Sequence, residues 1–198
     1  MKFSLAVIIS CMAVPTVHAI PATKVSIAPA ATTSSVPPAQ AFALVINDLE
    51  TLGGLFTKIV SDASSIPRSG IQAIDATHAD AEAIHLFFED ANTNLNELPP
   101  GSLVSSQTEE ILELYSGLVN GILSYLNSVA QNADFFKTLS GTSTITTDLL
   151  NSAASCEQFE SALITASSTN IQVTSQIIQT FRPVDEARQS ALDALSEL

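Results

Sequence analysis

Residues 106–129 read SQTEEILELYSGLVNGILSYLNSV, and this stretch decides the fold of the chain. Wound as an α-helix at about 100° per residue, its apolar side chains cover roughly half of the circumference. A helix that lies on a surface needs only a narrower apolar stripe. The stretch therefore predicts the central helix of a bundle, with neighbouring helices on two or three sides. Its apolar side chains are Ile111, Leu112, Leu114, Tyr115, Leu118, Val119, Ile122, Leu123, Tyr125, Leu126 and Val129.

A strip of small residues runs beside this apolar arc and consists of Gly117, Gly121, Ser124 and Ser128. Small side chains let a neighbouring backbone or a ligand approach the helix closely. Two interpretations stay open at this point. Either the strip seats a close-packed neighbouring helix, or it leaves a gap that a lipid fills.

The rest of the chain from residue 39 onward also shows helical spacing of apolar residues, without a sustained strand pattern. The helical runs are about 25–35 residues long, which is about 40–50 Å at the rise of an α-helix. Because the connections are short, neighbouring helices are expected to be antiparallel. The sequence thus predicts an all-α fold, an antiparallel five-helix bundle with long helices and short connections. The predicted helices span residues 39–64, 68–96, 106–139, 144–166 and 168–198.

Proline and glycine mark the predicted boundaries of these helices. Pro67 and Gly70 predict the first turn, and Gly141 is expected to end the third helix. Pro183 interrupts the last run, which is therefore either one kinked helix or two shorter ones.

The first 19 residues have the pattern of a secretory signal peptide. Lys2 supplies the positive charge, and the apolar run that follows is too short to span a bilayer. Small residues at Val17 and Ala19 place cleavage after Ala19. We therefore expect a secreted protein without a transmembrane segment, extracellular or associated with the cell wall.

Residues 20–38 contain four prolines among Ser, Thr and Ala, which predicts a flexible arm. The predicted organisation is a signal peptide over residues 1–19, this Pro/Ser/Thr-rich arm over 20–38 and a helical bundle domain over 39–198.

Cleavage after Ala19 removes Cys11 and leaves Cys156 as the one cysteine of the mature chain, so no intramolecular disulfide is expected. Cys156 shares a helix face with Leu149 and Phe159, which favours a buried thiol that packs as a small hydrophobe. The alternative is a reactive or intermolecular thiol.

The composition argues against several classes of partner. The chain has 198 residues, 46% of them hydrophobic, which suits one domain with a substantial core. Its 20 acidic residues against 7 basic ones disfavour nucleic acid and anionic membranes. Trp is absent and aromatic residues make up only 6%, so a dedicated sugar-stacking surface is not expected.

One pattern could suggest a metal site. Asp75 and His78, then Glu82 and His85, repeat an acid-x-x-His spacing on one predicted helix. The di-iron sites of ferritin-like bundles take such motifs from different helices, and this chain has none on a second helix. A mononuclear site of His78, Glu82 and His85 is the geometric alternative. The simpler interpretation, two His residues at the edge of an apolar stripe, is adopted, and no metal is predicted.

Catalytic motifs are missing from the sequence. There is no Gly-x-Ser-x-Gly elbow and no glycine-rich phosphate loop after a strand. The paired carboxylates Glu109 and Glu110 are explained by the start of a helix, where the dipole favours negative charge. The protein is therefore predicted not to be an enzyme and to need no cofactor.

The layout resembles the fungal hydrophobic surface-binding protein A family, which includes cell-wall galactomannoprotein antigens. The resemblance rests on the signal that ends at Ala19, the Ala/Ser/Thr-rich helical body without Trp, the segment ALVINDL at residues 43–49, and FFK at residues 135–137. It covers about residues 39–197 and contains no sharp motif. The long Ser/Thr-rich tail of some wall-attached members is missing, which disfavours covalent attachment to the wall.

The resemblance implies a five-helix bundle that holds a fatty acid in an apolar tunnel, or adsorbs to hydrophobic surfaces and recruits hydrolases there. It implies no catalytic residues. The implied partners are a fatty acid or another lipid, hydrophobic surfaces, cell-wall polysaccharide or a recruited hydrolase, without nucleic acid. The alternative is a structural or antigenic cell-wall mannoprotein with a dry core and no ligand.

The wide apolar arc and the resemblance together nominate residues that line a tunnel, each of which is also explained by ordinary core packing. Ser124 and Tyr125 are the candidates for hydrogen bonds to the polar head of a lipid. The tunnel candidates are Phe42, Leu49, Phe56, Phe88, Leu118, Ile122, Tyr125, Leu126, Phe159 and Phe181.

Overall fold

The computed structural model describes residues 36–167 and 170–196. This part of the chain forms six α-helices and no strand, apart from one isolated parallel β-bridge between Leu103 and Ser167. The predicted signal peptide, and the predicted arm up to residue 35, lie outside the described residues. The helices are α1 Pro38–Ser69, α2 Ile71–Asn96, α3 Ser105–Gln131, α4 Ala133–Thr138, α5 Thr142–Ala166 and α6 Ile171–Ser196.

The five long helices pack in a closed ring. In the order around the ring, α1 packs on α2, α2 on α5, α5 on α6, α6 on α3, and α3 on α1. The expectation that α3 has neighbours on two sides is confirmed, but α3 is one member of the ring and not its axis. A member of a ring faces two flanking helices and the interior at once, and this requires the wide apolar arc of residues 106–129.

Helices α1 and α2 are antiparallel, as the sequence predicts. Asn94 Nδ2 donates to Asp48 Oδ2 at 3.0 Å near one end of the pair, and Lys58 forms an ion pair with Asp80 farther along. Gly70 alone connects the two helices, with a φ of 58° and a ψ of −132° that side chains with a Cβ rarely adopt. The tight turn therefore depends on glycine.

Helices α2 and α5 are not consecutive in the chain, and they pack parallel to each other. His78 contacts Asp148 and His85 contacts Ser155, so the contacts advance in the same direction along both helices. A ring of five helices cannot alternate in direction all the way round, because five is odd. Short loops make consecutive helices antiparallel, but ring closure also brings non-consecutive helices together.

The side chain of Asn132 compensates for a hydrogen bond that Pro67 cannot make inside α1. Pro67 lies inside α1, where it has no N–H to donate to the carbonyl of Ala63. Asn132 Nδ2 donates to that Ala63 oxygen at 3.3 Å and to the Ser128 oxygen at 2.9 Å. This amide thus ties the end of α3 to α1 and compensates for the proline.

Asn132 also explains why there are six helices and not the five predicted. Its φ of −101° and ψ of 12° end α3, and a separate short helix α4 follows. The predicted single helix over residues 106–139 is therefore wrong in its last quarter. At Pro183 the sequence allowed either one kinked helix or two shorter ones. The structure has one helix, α6, with the proline inside it.

Two of the four small residues in the strip on α3, Gly121 and Ser128, seat the neighbouring helix α1. A Cβ added at Gly121 would lie 3.1 Å from the Cβ of Phe56 on α1, and the hydroxyl groups of Ser64 and Ser128 are 3.5 Å apart. Gly121 and Ser128 thus bring α1 close to α3, whereas Gly117 and Ser124 are exposed. None of the described helices is both long and apolar enough to cross a membrane.

Candidate ligand-binding site

A small cavity lies at the centre of the ring, and every long helix contributes to its wall. Most of this wall is apolar, as expected of a site for a hydrophobic ligand. Its polar members come from three helices: Tyr125 from α3, Asp148 and Ser152 from α5, and Arg188 from α6. We call it the central cavity. It is lined by Phe56, Ile59, Ala81, Ile84, Ile122, Tyr125, Leu126, Asp148, Ser152 and Arg188.

Four of the predicted tunnel residues meet at the central cavity, namely Phe56, Ile122, Tyr125 and Leu126. The volume is about 10 Å³. This is at the lower limit for one ordered water and far below the roughly 300 Å³ at which ligand pockets begin. The ring is therefore closed in this structure, and an acyl chain fits only if helices move apart.

Three other tunnel candidates form an aromatic cluster instead of lining the cavity. Phe88, Phe159 and Phe181 come from α2, α5 and α6, and Tyr115 from α3 completes the group. The Tyr115 and Phe181 rings stack with centroids 3.9 Å apart, and Phe159 meets Phe88 edge to face at 5.8 Å. Each of four helices contributes one aromatic side chain, so the cluster connects these helices across the interior of the bundle.

The remaining candidates lie elsewhere in the bundle. Leu49 and Leu118 are buried in the core, and Phe42 is half-buried against it. Ser124, a head-group candidate, is exposed and donates its hydroxyl to the Asn120 oxygen at 2.7 Å. It therefore does not face the central cavity.

Tyr125, the other head-group candidate, does line the cavity. Its hydroxyl is buried and has no hydrogen-bond partner. Burial raises the pKa of this phenol well above its ordinary value, so the hydroxyl keeps its proton and remains a donor. Tyr115 also has a buried hydroxyl without a partner.

Arg188 is a cavity residue that the sequence analysis missed. Only 4% of its surface is exposed, although it carries a permanent charge. Its Nη1 donates to Asp185 Oδ1 at 2.9 Å, whereas Nε and Nη2 are buried without a partner. The signal was present in the sequence, since Arg188 continues the helical spacing of the core residues Phe181 and Val184.

An outer groove of about 240 Å³ runs between α2 and α5 on the surface of the bundle. It is lined by Ala81, Glu82, His85, Leu86, Asp148 and Asn151. Ala81 and Asp148 also line the central cavity. These two side chains are thus the boundary between the groove and the interior.

The two His residues on α2 contact different side chains of α5, and only His78 contacts the boundary residue Asp148. His78 Nδ1 lies 2.9 and 3.0 Å from the two carboxylate oxygens of Asp148, and His85 Nδ1 lies 3.2 Å from the Ser155 hydroxyl. Among residues 36–167 and 170–196, no group of three or more His, Cys, Asp and Glu side chains is placed to hold a metal ion. Cys156 is a buried free thiol, and its burial raises the pKa of the thiol.

The fold resembles that of Afmp4p. The crystal structure of Afmp4p in complex with palmitic acid matches this chain with a TM-score of 0.70 and 16% sequence identity. The match covers 78% of this chain and 99% of the Afmp4p chain. No family model matches the sequence, and neither does any curated protein. The likeness to Afmp4p therefore establishes a related fold, and the resemblance to the hydrophobic surface-binding family stays a prediction.

The buried carboxyl groups predict how stability depends on pH. Burial is the main cause that raises the pKa of Asp48, Asp80, Asp148 and Glu160 above their ordinary values. Between the ordinary and the raised pKa the folded state binds more protons than the unfolded state. Acidification from neutral pH toward the ordinary carboxyl pKa of about 4 is therefore expected to raise the urea midpoint of the protein.

Asp148→Asn tests this explanation at one site. The amide keeps the shape of the side chain and can still bond His78, but it removes a carboxyl whose ionised form is disfavoured by burial. The increase in midpoint on acidification should be smaller in this variant and unchanged in Asp75→Asn, whose side chain is exposed. A wild-type midpoint that falls steadily over the same range would contradict the prediction.

Proposed function

We propose that this protein is a non-enzymatic carrier that binds one fatty acid inside its ring of helices. The observation that carries the proposal is the central cavity, to which all five long helices contribute and whose wall is mostly apolar. The related fold of Afmp4p, solved with palmitic acid, supports a fatty acid as the ligand class. The absence of catalytic motifs from the sequence supports a binding role.

Binding requires the ring to widen, because the closed cavity holds about 10 Å³. Each CH₂ group of a buried acyl chain contributes about 0.8 kcal/mol. Burial of a long acyl chain therefore contributes free energy that favours the separation of packed helices. The closed ring is then the ligand-free state, and the ligand stabilises an open one.

The boundary between α2 and α5 separates the central cavity from the outer groove. Ala81 and Asp148 alone are shared by the central cavity and the outer groove. Polar contacts join α2 and α5 beside this boundary, among them His78 with Asp148 and, farther along, Asn92 Nδ2 with the Ser155 backbone oxygen at 3.1 Å. Water can replace such partners when the helices separate, so we propose that the ligand enters here.

The proposal is tested on delipidated mature protein. Native mass spectrometry with added palmitic acid is expected to show one bound acid per chain, and palmitic acid should displace a fluorescent fatty-acid probe. A protein that retains no acid in the mass spectrum and displaces no probe would refute fatty-acid binding.

A structural cell-wall protein with a dry core is the second candidate. The observation in its favour is the small volume of the central cavity, which an ordinary well-packed core also explains. This candidate predicts no ligand in the same experiment, together with mannosylation of the Ser/Thr-rich arm.

We infer further that residues 1–19 direct secretion and that the mature protein acts outside the cell or at the cell wall, where hydrophobic surfaces are additional partners. The support is the charge, length and small residues of the N-terminal segment. N-terminal sequencing of protein from the culture medium should begin at Ile20, and retention in the cell would contradict the inference.

A further inference from the structure

Arg188 presents a buried edge of its guanidinium group without a partner. Nη1 is engaged by Asp185, whereas Nε and Nη2 are buried and no oxygen or nitrogen atom accepts a hydrogen bond from them. These two nitrogens lie on the same edge of the planar group, and their N–H bonds point in the same direction. This is the edge that holds a carboxylate through two parallel hydrogen bonds.

A buried charge of this kind is costly for the ligand-free protein. Asp185 is about half exposed, so it neutralises Arg188 only from the outer side. The Cys156 thiol lies near the guanidinium, and its sulfur is a weak acceptor. Buried donors without partners destabilise a fold, and an apolar side chain at this core position would avoid that cost.

One other polar group of the cavity, the Tyr125 hydroxyl, offers a further donor to an anion at this place. Tyr125 lines the same cavity and also has a buried hydroxyl donor without a partner. Asp148 is the one acidic side chain of the wall, and His78 Nδ1 contacts both of its carboxylate oxygens. Asp148 is therefore engaged on the α2 side, and it forms no ion pair with Arg188.

We propose that the Nε and Nη2 edge of Arg188, together with the Tyr125 hydroxyl, binds the ionised carboxylate of the fatty acid. This proposal rests on the proposed function and adds the head-group site to it. Arg188 supplies charge and two donors, and Tyr125 supplies a third donor from α3. The alkyl chain then lies along the apolar wall formed by Phe56, Ile59 and Ile122. The site selects an acid over an alcohol of the same chain length.

The test compares palmitic acid with 1-hexadecanol, which has the same chain without a carboxyl group. Binding of both to the delipidated mature protein is measured by displacement of a fluorescent probe at neutral pH. The variants are Arg188→Met, which keeps the length of the side chain, and the control Arg182→Met on the exposed face of α6. The urea midpoint of each variant is measured without ligand.

Wild-type protein is expected to prefer palmitic acid. Arg188→Met should weaken palmitic acid about tenfold or more and change 1-hexadecanol by less than about twofold. Without ligand, its urea midpoint should equal or exceed that of the wild type. Arg182→Met should leave both affinities unchanged. A lower affinity for the acid in a variant that is no less stable separates a ligand contact from a structural role.

Three outcomes overturn the head-group site. Arg188→Met could bind palmitic acid as well as the wild type does, which leaves fatty-acid binding intact but removes Arg188 from it. It could lose both ligands equally, which assigns Arg188 to the structure of the cavity. The wild type could bind neither compound, which refutes the proposed function as well.

Tyr125→Phe keeps the proposal testable if Arg188→Met does not fold. The substitution removes a hydroxyl that has no partner and keeps the ring, so the fold should be unaffected. Palmitic acid should bind about threefold or more weakly to this variant, and 1-hexadecanol should be affected less. Equal loss for the two ligands would contradict the assigned role of the hydroxyl.

Discussion

Phe159→Ala is expected to lower the free energy of unfolding by about 3–5 kcal/mol. The Phe159 side chain is fully buried at the centre of the aromatic cluster. It packs edge to face on Phe88 at 5.8 Å and lies 6.0 Å from Phe181. Truncation removes aromatic contact with three other helices at once, and the cavity it leaves can be closed only if whole helices move. Urea unfolding, followed by circular dichroism, measures the change.

Phe135→Ala is the matched control for this substitution. Phe135 is 41% exposed on α4, so its truncation should cost well under half as much as that of Phe159. Equal losses in the two variants would show that the aromatic cluster is not the centre of the core. A loss of less than about 1 kcal/mol in Phe159→Ala would show the same.

Ala81→Phe is expected to abolish fatty-acid binding or to weaken it by about 5- to 150-fold. Ala81 lies on α2 and lines both the central cavity and the outer groove. A benzyl group at this position fills the space that the proposed ligand uses and blocks the boundary through which it enters. This range of affinities corresponds to a loss of about 1–3 kcal/mol, the usual cost of forcing extra atoms into a filled site. Displacement of a fluorescent fatty-acid probe measures the affinity.

Ala79→Phe introduces the same ring two positions away, on the exposed face of α2. It should bind palmitic acid like the wild type, and both variants should keep the helical circular dichroism signal. If Ala81→Phe bound palmitic acid at wild-type affinity, the ligand would have to lie elsewhere than in the central cavity. If both variants lost binding, a general effect on α2 would explain the result better than a blocked cavity.

The helices were predictable because their signal is local. Apolar spacing located all five long helices, although their ends moved by a few residues and α4 was not separated from α3. The end of α3 depends on Asn132, whose side chain bonds the carbonyl of Ala63 on another helix. Such a partner is distant in the sequence, so periodicity within a stretch cannot reveal it.

The candidate site was predictable only in part. Phe56, Ile122, Tyr125 and Leu126 were nominated from their apolar faces and do meet at the central cavity. Phe88, Phe159 and Phe181 share the same kind of pattern and form the aromatic cluster. Sequence spacing identifies a buried face, but it does not distinguish a face that lines a cavity from one that packs against other rings.

The sequence by itself determined that this protein is helical and which faces of its long helices are buried. The tertiary structure alone decided the order of helices in the ring, the parallel pairing of α2 with α5, and the convergence of Tyr125, Asp148 and Arg188 on one cavity. The physical reason is that amphipathic periodicity specifies which face of a helix is buried. Closure of the ring specifies which other helices that face packs against. Arg188 shows the difference, because its place on an apolar face is visible in the sequence and its unpartnered edge is visible only in the fold.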